Sequence, residues 1–173
     1  MSEPFLHQVF ARDRSLGIPN SALPFVFWKK RLPDSARDGA AACRLFEANG
    51  WTGTWVYTVY PFWHFHTQGH EVLACVSGHA VLGFGGDSGI TTKVAIGDVC
   101  IVPAGVGHKR INASTDFRVA GGYPAGQHGD ITSPGDMAAD AIENALAQVA
   151  LPDTDPITGG ALDGWFGGAR DPS

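Results

Sequence analysis

Two histidines one residue apart, His64 and His66, open a run, HFHTQGHE, that closes on Glu71. Imidazole nitrogens are good ligands for first-row divalent metals, and a carboxylate adds a charged oxygen donor. If the chain is extended from Val56 to His66, alternate side chains share a face. Both histidines then stand with Val56, Thr58, Tyr60 and Phe62 on a mostly apolar, interior side. Two imidazoles buried there need a partner, because an unbonded buried imidazole is costly. A metal ion supplies one, and so would hydrogen bonds at a strand end. Glu71 favours the metal: it heads the apolar stretch 72–76 and shares a face with Leu73 and Cys75. His108, just beyond the turn Pro103-Ala104-Gly105, offers a third imidazole. Such a set suits iron, manganese, nickel, zinc or cobalt and leaves coordination positions for water or substrate. Spacing alone leaves open whether Glu71 and His108 reach the pair.

Other candidates around the cluster are weaker. Four of the seven histidines fall between His64 and His79, together with one of the four glutamates. His70 adjoins Glu71 and in a regular strand faces away from it, which suits a hairpin cap or an outward bond, while a bend in Thr67-Gln68-Gly69 would let it replace or supplement a ligand. His79 sits at a turn and reads as a surface residue. Tyr60, Phe62 and Cys75 are candidates for lining a pocket, although strand aromatics are more often core and buried cysteines mostly act as small hydrophobes.

The elements that must position these residues are short strands. Between residues 51 and 123, β-branched and aromatic segments at 55–60, 71–76, 80–84, 91–96, 99–102, 108–112 and 117–122 alternate with glycine-rich turns. There is no room between them for helical crossovers, so the expected class is all-β, an antiparallel sandwich or barrel. Alanine-rich helices are expected on either side, over about 35–49 and 136–150. Residues 1–30 read as loop, with a candidate edge strand at 25–28. The glycine-rich tail after Pro152 reads as extended and anchored by Trp165 and Phe166. A chain of 173 residues suits a single domain, 1–173, with its core at about 51–123.

Composition narrows the partners. Lys plus Arg number 12 against 17 Asp plus Glu, with no basic run beyond Lys29-Lys30-Arg31, which argues against nucleic acid. No apolar stretch reaches the length of a membrane span, and the amino terminus lacks the apolar core of a signal peptide. Three widely spaced cysteines form neither a disulfide framework nor a zinc motif, so a cytoplasmic location is expected.

The segment HFHTQGHEVLACVSG resembles the first motif of the cupin superfamily, G-x5-HxH-x3,4-E-x6-G, from His64 through Glu71 to Gly78. GDVCIVPAGVGHKRIN is similar to the second, G-x5-PxG-x2-H-x3-N, from Gly97 through His108 to Asn112. The first motif's leading glycine is replaced by Thr58. The HEVL and PAGVGHK phrasing resembles the small single-cupin proteins of the YjlB-like group. This resemblance implies an antiparallel jelly-roll barrel with flanking N- and C-terminal helices. It also implies one divalent metal ion (iron, zinc, nickel or manganese) held by His64, His66, Glu71 and His108. Asn112 is expected to hold a loop. The resemblance allows oxygenation, isomerisation or decarboxylation and selects none. The scarcity of spare ionisable residues in the motifs favours a reaction run by the metal itself, such as oxygenation of a small chelating organic molecule. Isomerisation and non-catalytic ligand binding or sensing around a structural metal are the alternatives. A homodimer is expected, paired through the apolar stretch 24–28.

Overall fold

Strand β4 (Glu71–Ser77) is buried from its first residue to its sixth, and this sets the architecture. A strand without a polar face must be covered on both sides. The computed structural model describes residues 3–162, 164 and 165, so Phe166 and the residues after it lie outside the described residues. Around β4 stand β1 (Leu6–Phe10), β2 (Ser21–Trp28), β3 (Trp51–Tyr57), β5 (His79–Phe84), β6 (Ile90–Ala95), β7 (Val99–Val102), β8 (His108–Ala113) and β9 (Arg118–Pro124). One sheet has six strands in the order β1-β2-β7-β4-β9-β3, and the other has three, β6-β5-β8. Every pairing is antiparallel.

The sheets face each other as an open sandwich, which corrects the expectation of a closed barrel. Among the described residues, no ladder joins the two sheets. At the edge where β3 could reach β8, the chain from Thr58 to His70 leaves regular strand. It meets β8 through an isolated bridge, His64 to His108, and a bond from the Arg110 amide to the Tyr60 carbonyl, not through a ladder. The strand expected at 55–60 lies earlier, at β3, because its pairing with β9 starts from Trp51.

Phe25, Phe27, Leu73, Leu82, Phe84, Phe117 and Val119 fill the space between the sheets. The outer face of the large sheet carries Val26, Trp28, Val72, Ala74 and Ile101 against helix α1 (Gly39–Ala48) through Ala42 and Phe46. The side chain of Asp38 caps α1 by accepting from the Ala41 amide at 2.9 Å, so the helix begins after the capping sequence expected at 33–35. A second helix, α2 (Ala139–Ala147), buries only Ile142. Both helices are shorter than the spans 35–49 and 136–150. No described helix is long and apolar enough to cross a membrane.

Two expectations about the amino-terminal region change. Residues 25–28 belong to β2, which is flanked by β1 and β7 and is not an edge; the edge is β1, in the stretch read as loop. The sheet therefore starts well before residue 51. Phe25 to Trp28 are already buried within the chain, so that stretch offers no exposed edge.

Candidate metal centre

The His64–His66 segment is pinned from both sides. The His64 and His108 amides each donate to the other's carbonyl, at 3.3 and 2.9 Å, and this seats the segment beside the start of β8. Phe65 exchanges the same pair of bonds with Thr132, at 2.9 and 3.1 Å. The carbonyl of His66 accepts from the Gly105 amide at 2.8 Å. Gly105 has φ +92°, and a side chain there would place its Cβ 2.5 Å from the Asn20 carbonyl oxygen. That turn thus requires glycine, and it aims β8 so that His108 faces the pair.

Ligand atoms of His64, His66 and His108 lie within 4.8 Å of one another, and all three residues are buried. Each Nδ1 is bonded to a main-chain carbonyl: His64 to Phe62 at 3.0 Å, His66 to Asp130 at 2.6 Å and His108 to Val106 at 3.0 Å. A carbonyl only accepts, so each Nδ1 carries the proton and each neutral ring keeps its lone pair on Nε2. Glu71 completes the cluster. Its Oε2 is 2.9 Å from His66 Nε2 and 3.3 Å from His108 Nε2. With the rings neutral, lone pairs would face a carboxylate at hydrogen-bonding distance. A cation between them, either a proton or a metal ion, removes the repulsion. The donor set fits a first-row divalent ion, and the bonded Nδ1 atoms give the outer support that metal-binding histidines usually have.

The electrostatics agree with this arrangement. Burial, and then the neighbouring His108, push His64 down to about 3, so it stays neutral. Burial acts the same way on His66, but the charge and hydrogen bond of Glu71 outweigh it and raise His66 to about 9. Burial would raise the Glu71 carboxyl, yet His66 and His108 hold it well below the usual carboxylate range. Without a metal, the cluster therefore retains a proton beside Glu71.

Several supporting residues carry no motif. The carboxylate of Asp130 accepts from the Thr67 amide and hydroxyl, the Gln68 amide and the Thr132 hydroxyl, at 2.7 to 2.9 Å. Tyr123 donates to Glu71 Oε1 at 3.3 Å and accepts from Trp55 Nε1 at 2.8 Å. Asn20 Oδ1 accepts from the Gly107 amide at 3.2 Å, just before His108. Among the described residues Asn112, expected to hold a loop, makes no side-chain hydrogen bond; it lies exposed on β8. His70 is buried rather than outward-facing, and its Nδ1 accepts from the Ala104 amide at 2.9 Å while its ring meets Trp165 edge-on. It points away from the metal ligands and tethers the turn that presents His108. His79 is exposed.

The cluster forms the floor of a cavity of about 300 Å³ whose walls include Trp55, Tyr60, Leu73, Tyr123 and Ile131. Tyr60 is thus a lining residue. Phe62 stands outside the lining, stacked on Tyr60 with ring centroids 5.2 Å apart. Cys75 is not part of the cavity: it shares a face with Glu71 and Leu73, but the cavity ends at Leu73, and its thiol bonds to Ser77 and Gly78 carbonyls. Trp165 donates to the Pro24 carbonyl at 2.9 Å and lies away from the mouth. Gly129 and Ile131, from the segment after β9, form part of the wall instead.

No family model matches the chain. The chain is 37% identical over 143 residues to the uncharacterized protein YjlB of Bacillus subtilis (strain 168), spanning 82% of this chain and 84% of that protein. It is also similar to an acireductone dioxygenase from Bacillus anthracis solved with a cadmium ion in its active centre. That match has 16% identity and a TM-score of 0.40, over 60% of this chain and 79% of the other. A structure of oxalate decarboxylase matches at 18% identity and a TM-score of 0.40, over 84% of this chain and 35% of the other. Likenesses this loose carry no argument about chemistry.

Proposed function

This chain belongs to the YjlB-like group of the cupin superfamily, and from that premise we propose a metal-dependent enzyme acting on a small chelating organic molecule. The metal would be one divalent ion held by His64, His66, Glu71 and His108. The observation that carries this reading is the convergence of three Nε2 lone pairs, each fixed by an Nδ1 bond to a carbonyl, with Glu71 Oε2 set 2.9 Å from one of them. Bound there, a divalent ion supplies Lewis-acid polarisation of a coordinated oxygen and, if iron, redox chemistry with dioxygen.

Within this reading, oxygenation is the reaction favoured by the lining. A proton-transfer enzyme needs a spare acid or base in reach of its substrate. Glu71 is engaged by His66 and His108, and the Asp130 carboxylate is filled by four donors. The Tyr123 hydroxyl is committed to Glu71 and Trp55, and burial, and then Glu71, push the phenol well above its ordinary value, so it is not a base. The chain's own residues orient the ligand and exclude water: Trp55, Tyr60 and Ile131 offer it apolar walls.

Anaerobic purification, metal analysis, iron loading and oxygen-electrode assays with a panel of enols, thiols and catechols test this reading. About one metal per chain and oxygen uptake with at least one compound are expected. Zinc-only occupancy with no uptake after iron loading removes the oxygenase. Failure to retain any divalent ion removes the metal site itself.

A further inference from the structure

We propose that Arg110 anchors the acidic group of the molecule bound in the cavity, so that the ligand is a small organic carboxylate with an apolar body. This deepens the function proposed above and rests on the same cavity. Arg110 follows His108 by two residues on β8, and their cross-strand partners are Leu82 and Phe84. Both partners lie in the core between the sheets, so both β8 side chains leave the strand on its inner face. Lys109 leaves on the other face, with its ammonium 4.8 Å from the centre of the Trp63 ring.

Arg110 stands just behind the lining residues, and its guanidinium reaches the cavity wall through Thr58. Arg110 Nη1 donates to Thr58 Oγ1 at 2.9 Å, and Thr58 lines the cavity beside Val59 and Tyr60. The Arg110 amide donates to the Tyr60 carbonyl at 2.9 Å, which fixes strand and rim together. Thr58 is also the residue that stands where the cupin motif has glycine, so the hydroxyl holding Arg110 is a feature of this chain.

The charge of Arg110 lacks a counterion among the described residues. Arg12, Arg31 and Arg37 each pair with a carboxylate, at 2.6, 2.8 and 2.7 Å. Among the described residues, no carboxylate lies within 4.0 Å of the half-buried Arg110. A partly desolvated guanidinium, with one donor committed to a hydroxyl and the others free, is suited to a bidentate carboxylate. Glu71, the carboxylate in the cavity lining, is turned to the histidines. A carboxylate on Arg110 would leave the rest of a small ligand between the aromatic wall and the metal centre.

Isothermal titration with two probes, phenylglyoxylate and its neutral amide, tests this on metal-loaded and on chelator-treated protein. The wild type should bind the acid about tenfold or more tightly than the amide, the size expected of a charged hydrogen-bonded pair. Arg110→Gln should lose that preference with metal content unchanged, and Arg110→Lys should keep part of it. Thr58→Val, which removes the hydroxyl that holds the guanidinium but keeps its charge, should weaken the preference. Equal binding of acid and amide, binding of neither, or a preference that survives in R110Q overturns the proposal. Loss of metal uptake by the wild type overturns only the metal reading, because the acid–amide comparison on chelated protein still decides Arg110.

Discussion

Nδ1 of His66 donates to the main-chain carbonyl of Asp130 at 2.6 Å, across 64 residues of sequence. The same Asp130 closes its carboxylate over Thr67, Gln68 and Thr132. One residue thus sets the ring orientation of a proposed ligand and locks the loop behind it.

Asp130→Ala should therefore weaken metal binding by about 10- to 100-fold, the usual consequence of losing support behind a ligand. It should also lower stability by about 1–3 kcal/mol, because the Thr67 and Gln68 amides lose their acceptor. Competition with a chromophoric chelator measures the first effect and urea unfolding of metal-free protein the second. Unchanged affinity would mean that the carbonyl of residue 130 holds His66 without the carboxylate.

Glu71→Ala should lower metal retention more than Asp130→Ala does, since it removes a proposed donor and not its support. His70→Ala, one residue away, should leave metal content close to wild type while lowering the melting temperature. It opens a buried gap beside Trp165 and strands the Ala104 amide. Metal analysis of the two purified variants decides the matter, and equal losses would place His70 at the metal.

Tyr123→Phe leaves Trp55 Nε1 and Glu71 Oε1 without the hydroxyl that now bridges them. A loss of about 1–3 kcal/mol in stability is expected, with a smaller drop in metal affinity than Glu71→Ala produces. Gly129→Ala should act through the same residue, because its Cβ would fall 2.1 Å from the Tyr123 hydroxyl oxygen. Denaturant titration and metal competition on both variants check this.

The thiols provide a test of packing independent of any metal. Burial pushes Cys75 up to about 12 and Cys100 well above its ordinary value. Near pH 8 the Cys75 thiolate is then only about one part in 10⁴ of the total. Iodoacetamide should leave both cysteines unmodified in the native protein and should reach the less buried Cys43 first. All three should react in guanidinium chloride, and rapid native labelling of Cys75 by mass spectrometry would contradict its position in the core.

Residue order alone settles the local features of this protein. The glycine-punctuated segments are strands because their turns permit little else, and β7 occupies the 99–102 stretch read from its residues. His64 and His66 share a side because extended chain repeats every two residues, and the spacing of the two cupin motifs singles out Glu71 and His108. The features it leaves open depend on contacts distant in sequence. Whether the sheets close is decided at their edges, and at one of them the segment after β3 meets β8 without a ladder. The burial of Phe25 to Trp28 depends on β1 adding itself outside them. Asp130, Tyr123, Asn20 and Arg110 acquire their roles only when hydrogen bonds spanning 52 to 87 residues bring them to the site. An isolated Asp or Tyr carries no periodic signal, since its partner is set by how the sheets pack and not by its neighbours in the chain.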